Sequence, residues 1–100
     1  MYKLVFYDIE NDKTRTQLAK KLEEMGLLRL QFSVFIGNGS PVYWSKVFEK
    51  IKKITQKFDA AKDSCCFLVA EEKQIKKMKI FGKQSILDNF IISNPAYIIL

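Results

Sequence analysis

One hundred residues make one domain with one thin core, since a chain of this size buries roughly two-thirds of its unfolded surface. At 48% hydrophobic and 28% charged residues the composition is globular, which excludes a disordered tail or a collagenous class. Seventeen Lys and Arg against eleven Asp and Glu leave +6, a balance that favours polyanionic partners such as nucleic acid over a merely lysine-rich soluble surface.

The first element is Tyr2 to Ile9, a run of apolar and aromatic residues ending in a carboxylate, which reads as a central strand. Alternation puts Leu4, Phe6 and Asp8 on one face and Lys3, Val5, Tyr7 and Ile9 on the other, so both faces are expected to be buried. A buried carboxylate needs a partner, a set of hydrogen bonds or a metal ion, and the remaining chain must supply one of these for Asp8.

Glu10-Asn11-Asp12 is a turn in which Asn11 or Asp12 can cap a helix running to Met25 and closed by Gly26. Leu18, Leu22 and Met25 form its apolar stripe, and Arg15 falls within about 60° of Leu18 on the inward side of the first turn. Arg15 is therefore a plausible neighbour of Asp8, or of an anion bound there. Lys13, Lys20, Lys21, Glu23 and Glu24 form the solvated outer surface.

Leu27 to Gly37 alternates like a strand, with Arg29, Gln31, Ser33 and Phe35 on one face, and reads either as one bent strand or as two short paired ones. Asn38-Gly39 is a turn, Ser40 an N-cap and Pro41 a first helical residue. The helix that follows carries a core stripe of Trp44, Val47, Phe48, Ile51, Ile54 and Phe58, with Lys46, Lys50, Lys52, Lys53 and Lys57 on its other side. Ser64 to Ala70 is a strand apolar on both faces, and Glu71 to Gln74 turns the chain into a further expected strand, Ile75 to Phe81. The tail from Gln84 ends in Tyr97-Ile98-Ile99-Leu100, a short strand without an obvious neighbour. Two helices cover only one face of such a sheet, so a dimer is expected to cover the other.

No run approaches the roughly 18 apolar residues of a membrane span, and the N-terminal residues lack a signal-peptide pattern, so a cytoplasmic protein without membrane association is expected. Cys65 and Cys66 are adjacent and point to opposite faces of a strand, as reduced core residues. The absence of histidine removes serine-histidine triads, histidine acid-base ribonuclease chemistry and the usual zinc sites. Hydrolysis would have to run on carboxylate, metal ion and arginine. Only two arginines occur, Arg15 and Arg29, and their planar forks suit phosphate or carboxylate.

Tyr7-Asp8-Ile9, Arg15, Leu18, Leu22, Gly26, and Arg29 through Gln31 to Ser33-Val34-Phe35 together resemble the signature of the small universal CRISPR adaptation protein, the Cas-two family. Glu72-Lys73-Gln74 and Gly82-Lys83 are also similar to its pattern, so the resemblance spans about residues 1–84. It implies a ferredoxin-like α+β domain, a βαββαβ sandwich over residues 1–83, that dimerises by packing sheet on sheet. Residues 84–100 would add a C-terminal strand completing the partner's sheet. The resemblance further implies a magnesium ion held between two copies of Asp8, and a dimer that bridges the larger integrase subunits on double-stranded DNA during spacer acquisition. Some members are metal-dependent endonucleases on single-stranded RNA or double-stranded DNA, and Tyr7, Asp8, Arg15, Arg29 and Phe35 match the positions tied to that activity. Two positions depart from the pattern: Ile36 stands where many members have glutamate, and Gln17 where some have another arginine.

Read from the residues alone, two carboxylates apposed across a two-fold axis would repel, and a divalent cation would neutralise both and could activate water. Lys50, Lys53 and Lys57, with Lys76, Lys77 and Lys79, are the expected nucleic-acid-binding residues and need no metal. The alternatives are a stand-alone ribonuclease toxin of the virulence-associated D type and an RNA-binding ferredoxin-like module, the latter without the aromatic and glycine pattern of an RNA-recognition sheet.

Overall fold

The pleat of the first strand organises the sheet. In the computed structural model, which describes residues 1–82, β1 (Tyr2–Asp8) lies between β3 (Val34–Asn38) and β4 (Ser64–Ala70), antiparallel to both. β2 (Leu28–Gln31) pairs with β3 at one edge, giving the order β2-β3-β1-β4. The helices α1 (Asp12–Glu24) and α2 (Pro41–Thr55) complete the βαββαβ order of a ferredoxin-like α+β fold. The segment from residue 84 to 100, expected to complete a partner's sheet, lies outside the described residues. Among the described residues no helix is long and apolar enough to cross a membrane.

Both helices start where the caps lie. Asn11 accepts a hydrogen bond from the Thr14 N–H at 2.9 Å, Ser40 accepts one from the Tyr43 N–H at 3.1 Å, and Pro41 opens α2. Gly26 follows α1 with φ of +92°, a conformation that L side chains avoid. The helices pack on one face of the sheet, where Leu18, Leu22, Trp44, Val47, Ile51 and Ile54 enclose Val5, Tyr7, Ile9 and Phe35. At α2 the helix ends earlier than the apolar stripe does. Phe58 still reaches the core, through turns in which its N–H donates to Thr55 O at 3.0 Å. Phe48 is 40% exposed and rests edge-on against Phe67, with the Lys3 ammonium above its ring at 4.4 Å.

Three expectations are corrected. Of the two readings open for Leu27 to Gly37 the two-strand hairpin is the one formed, but Arg29, Gln31 and Phe35 do not share a face, because an irregularity between Arg29 and Gln31 puts Gln31 opposite Val34 while Arg29 opposes Phe35. Directly opposed residues share a face, so the extra residue moves Gln31 away from the side that Arg29 and Phe35 occupy. Second, the expected strand over Ile75 to Phe81 is absent; a short helix α3 (Glu72–Lys76) takes its start. There Gln74 Oε1 accepts from the Glu71 N–H at 2.7 Å, and Ile75 is 1% exposed against Tyr2, Ile36 and Ala70. A short apolar run fits a helical turn as well as a strand, and the local cap decides between them. Third, the second face of β1 is only partly covered: α3, Met78 and Ile80 close one end, but Phe6 stays 41% and Leu68 54% exposed.

Gly39 is required by close approach rather than by its backbone angle. A methyl group there would stand 2.1 Å from Tyr43 Cδ2, and the ring cannot swing away because Tyr43 donates its hydroxyl to Met25 O at 2.9 Å. Gly39→Ala should cost about 1–3 kcal/mol through forced repacking, read as a lower urea midpoint with an unchanged slope. A wild-type midpoint would mean that the ring yields freely.

Candidate functional site

Asp8 ends β1 opposite Ser64 of β4, on the same face as Leu4 and Phe6. It is exposed, and among the described residues no hydrogen bond or ion pair reaches its carboxylate. The expected pairing with Arg15 is not formed, because α1 lies over the other face of the sheet. Arg15 instead donates from Nη1 to Ile9 O at 3.0 Å and to Glu10 O at 3.5 Å, and its Nη2 pairs with Asp12. The guanidinium thus ties the end of β1 to the first turn of α1.

The other site residues gather on the helix-covered face. Tyr7 and Phe35 stack at 6.2 Å between ring centres, and the Arg29 guanidinium lies over Phe35 at 5.3 Å. Arg29 donates from Nε and Nη2 to Phe32 O at 3.2 and 3.0 Å, and the Tyr7 hydroxyl donates to the same oxygen at 3.3 Å. One carbonyl at the tip of the β2–β3 hairpin therefore receives three donors. Glu23 of α1 pairs with Arg29 at 3.5 Å. Burial raises the Tyr7 phenol above its ordinary range, with Arg29 opposing that shift, so Tyr7 stays protonated at neutral pH and serves as a donor rather than a base.

Tyr7, Arg15, Arg29 and Phe35 are thus together, and Asp8 is across the sheet from them. The sequence reading missed Phe32, which is 68% exposed with Arg15 and Arg29 on its ring at 5.6 and 5.4 Å. The available signal was a large aromatic in a turn, three residues after an arginine.

A metal ion finds little in one chain. Among the described residues no group of three Asp, Glu, Cys or His side chains converges, and Asp8 alone is too small a donor set for magnesium. Cys66 is exposed on β4, whereas burial pushes the Cys65 thiol up to about 12, which leaves it an inert core group.

The expected phosphate-binding lysines form two surfaces. Lys50 and Lys53 are exposed on α2 and Lys57 in the turn that follows it, over one face of the sheet; Lys76, Lys77 and Lys79 are exposed at and after α3, over the other. Lys57 donates to Gln17 Oε1 at 2.9 Å, and Lys76 lies 3.8 Å from Glu72. A cleft of about 530 Å³ is lined by Glu10, Asp12, Asp59 and Asp63 against Lys57 and Lys62, an acidic balance that makes it a poor phosphate site. Asp63 there accepts from the Glu10 and Asp59 N–H groups, and these bonds hold its carboxyl below the usual range. It serves as a loop clamp.

Comparison with known proteins gives a consistent result. The sequence profile of the family described as CRISPR associated protein Cas2 matches residues 1–78. The CRISPR-associated endoribonuclease Cas2 2 of Pyrobaculum aerophilum is 41% identical over 56 residues, which span 56% of this chain and 62% of that protein. The CRISPR-associated endoribonuclease Cas2 of Thermofilum pendens is 29% identical over 97 residues, 97% of either chain. In structure the chain resembles crystalline Streptococcus pyogenes Cas2 with a TM-score of 0.66 at 25% identity, over 82% of this chain and 100% of that one.

Phe35 has no exposed surface, so Phe35→Ala should cost about 3–5 kcal/mol and lower the urea midpoint, whereas exposed Asp8→Asn should leave it unchanged. Equal midpoints for Phe35→Ala and wild type would remove Phe35 from the core and reopen a direct chemical role.

Proposed function

This chain belongs to the CRISPR associated protein Cas2 family, and on that premise we propose that it acts in CRISPR adaptation as a DNA-binding homodimer. In this reading it bridges the larger integrase subunits during spacer acquisition, with magnesium-dependent endonuclease activity at Asp8 as a weaker capacity. Relatives named as CRISPR-associated endoribonucleases support the nuclease part.

The observation that carries the balance between the two roles is the position of Asp8. It stands exposed on the partly open apolar face, while Tyr7, Arg15 and Arg29 lie across the sheet and are bonded to main-chain carbonyls. Those groups hold the fold, and among the described residues Asp8 has no acid-base companion within its own chain, which favours binding over catalysis. A second copy mated on the open face would add its own Asp8. Two such carboxylates would fit a hard cation that takes oxygen donors and keeps several waters, and the chemistry a magnesium ion would supply there is activation of water for phosphodiester attack. Each Asp8 would hold the ion, and Phe6, two residues back on the same face, would limit access of other water. DNA binding would rest on the two lysine surfaces, and their placement on opposite layers suits a protein that contacts DNA from more than one side.

If about four phosphates are neutralised per subunit, log K for double-stranded DNA against log salt should slope near about −3.6 per subunit, independently of sequence. A slope near zero would reduce the lysines to a solvated surface. For Asp8→Asn, magnesium-dependent cleavage should vanish while DNA affinity and fold are kept. Cleavage that continues at the wild-type rate would remove Asp8 from the chemistry.

A further inference from the structure

Phe32 is the most exposed aromatic ring of the hairpin region, and the fold spends three hydrogen bonds on holding its position. Its carbonyl receives Arg29 Nε, Arg29 Nη2 and the Tyr7 hydroxyl, which fixes the hairpin tip. The ring itself belongs to neither core cluster and is 68% exposed. Both arginines of the chain lie against it, within the range of a cation–π contact. Beside it a shallow cleft of about 270 Å³ is lined by Arg15, Thr16, Ala19, Lys20, Glu23 and Arg29. That is smaller than the roughly 300–1,000 Å³ of pockets that enclose a whole ligand, so it is an open platform with a cationic rim.

The geometry points to Phe32 as a stacking platform for an unpaired nucleobase, with Arg15, Arg29 and Lys20 placed for the flanking phosphates. This rests on the nucleic-acid-binding reading above and adds to it a preference for single-stranded segments at this face. An exposed ring flanked by cations is the arrangement by which proteins hold single strands, where every base offers a π-face. In a duplex those faces are already stacked on one another, so a paired strand gains nothing from the ring. Asp12 and Glu23 do not close the site to an anion. Their side chains are 88% and 54% exposed, and ion pairs of that kind exchange readily with a phosphate. The platform reads the base rather than the sugar, so RNA and DNA single strands are both bound.

The test measures binding of short single-stranded RNA and DNA oligonucleotides, and of a duplex of the same sequence, in EDTA so that no cleavage intervenes. Phe32→Leu should weaken both single strands about 5- to 150-fold, the worth of one base stacked on an aromatic ring, and leave the duplex within about twofold. Phe32→Trp should restore single-strand binding, and its emission should be quenched on binding; Trp44, the native tryptophan, is 1% exposed and would not respond. Single-strand affinity unchanged in Phe32→Leu, or an equal loss for single strands and duplex that Phe32→Trp does not repair, overturns the platform while the DNA-binding reading stands. A wild-type protein that binds neither single strands nor duplex overturns both.

Discussion

Adjacent residues of a strand point to opposite faces, so β1 cannot place Tyr7 and Asp8 on one side of the sheet. Everything chemical about this chain follows from that pleat. Tyr7 goes under the helices with Val5 and Ile9, where Phe35 stacks on it and Arg29 lies close by. Asp8 goes to the side of Leu4 and Phe6, beyond the reach of either arginine. A one-residue slip of β1 would exchange the two sets and bury a carboxylate beneath α1 and α2, and the apolar load on Val5, Tyr7 and Ile9 opposes it.

The same constraint divides the packing. Two helices on one face give a core in which Leu18, Leu22, Val47 and Val5 are fully buried, and among the described residues the other face is left to a single helical turn and the residues after it. A groove of about 350 Å³ lies there between Leu4, Leu30, Val34, Met78 and Ile80. Phe6, nearer Asp8, and Leu68, opposite Leu4, remain in water at an apolar cost that a mating surface would remove. The proposed dimer is therefore tied to the proposed metal site, since one surface would serve both.

Much of this was legible in the sequence for local reasons. Asn11 and Ser40 as caps, Pro41 at the helix start, Gly26 at a positive φ and the 3- and 4-spaced stripe of α2 are properties of short stretches. What was not legible depends on counts and contacts that periodicity does not carry. The irregularity before Gln31 changes which residues face each other across the hairpin, and the Gln74 cap turns an apparent strand into α3. The arginines were recognised as special, yet their partners proved to be main-chain carbonyls and Phe32, because a guanidinium reaches whichever acceptors its own layer offers.

The measurement that bears most directly on the mated open face is the solution mass of wild type beside Phe6→Asp, by light scattering at micromolar concentration. If two open faces mate, wild type should show about twice the 11.7 kDa chain mass. Phe6→Asp, which sets a charge on a position already 41% exposed, should stay folded and fall to the mass of one chain. A folded wild-type monomer, or a Phe6→Asp dimer as stable as wild type, would contradict the mated face and with it the shared Asp8 site.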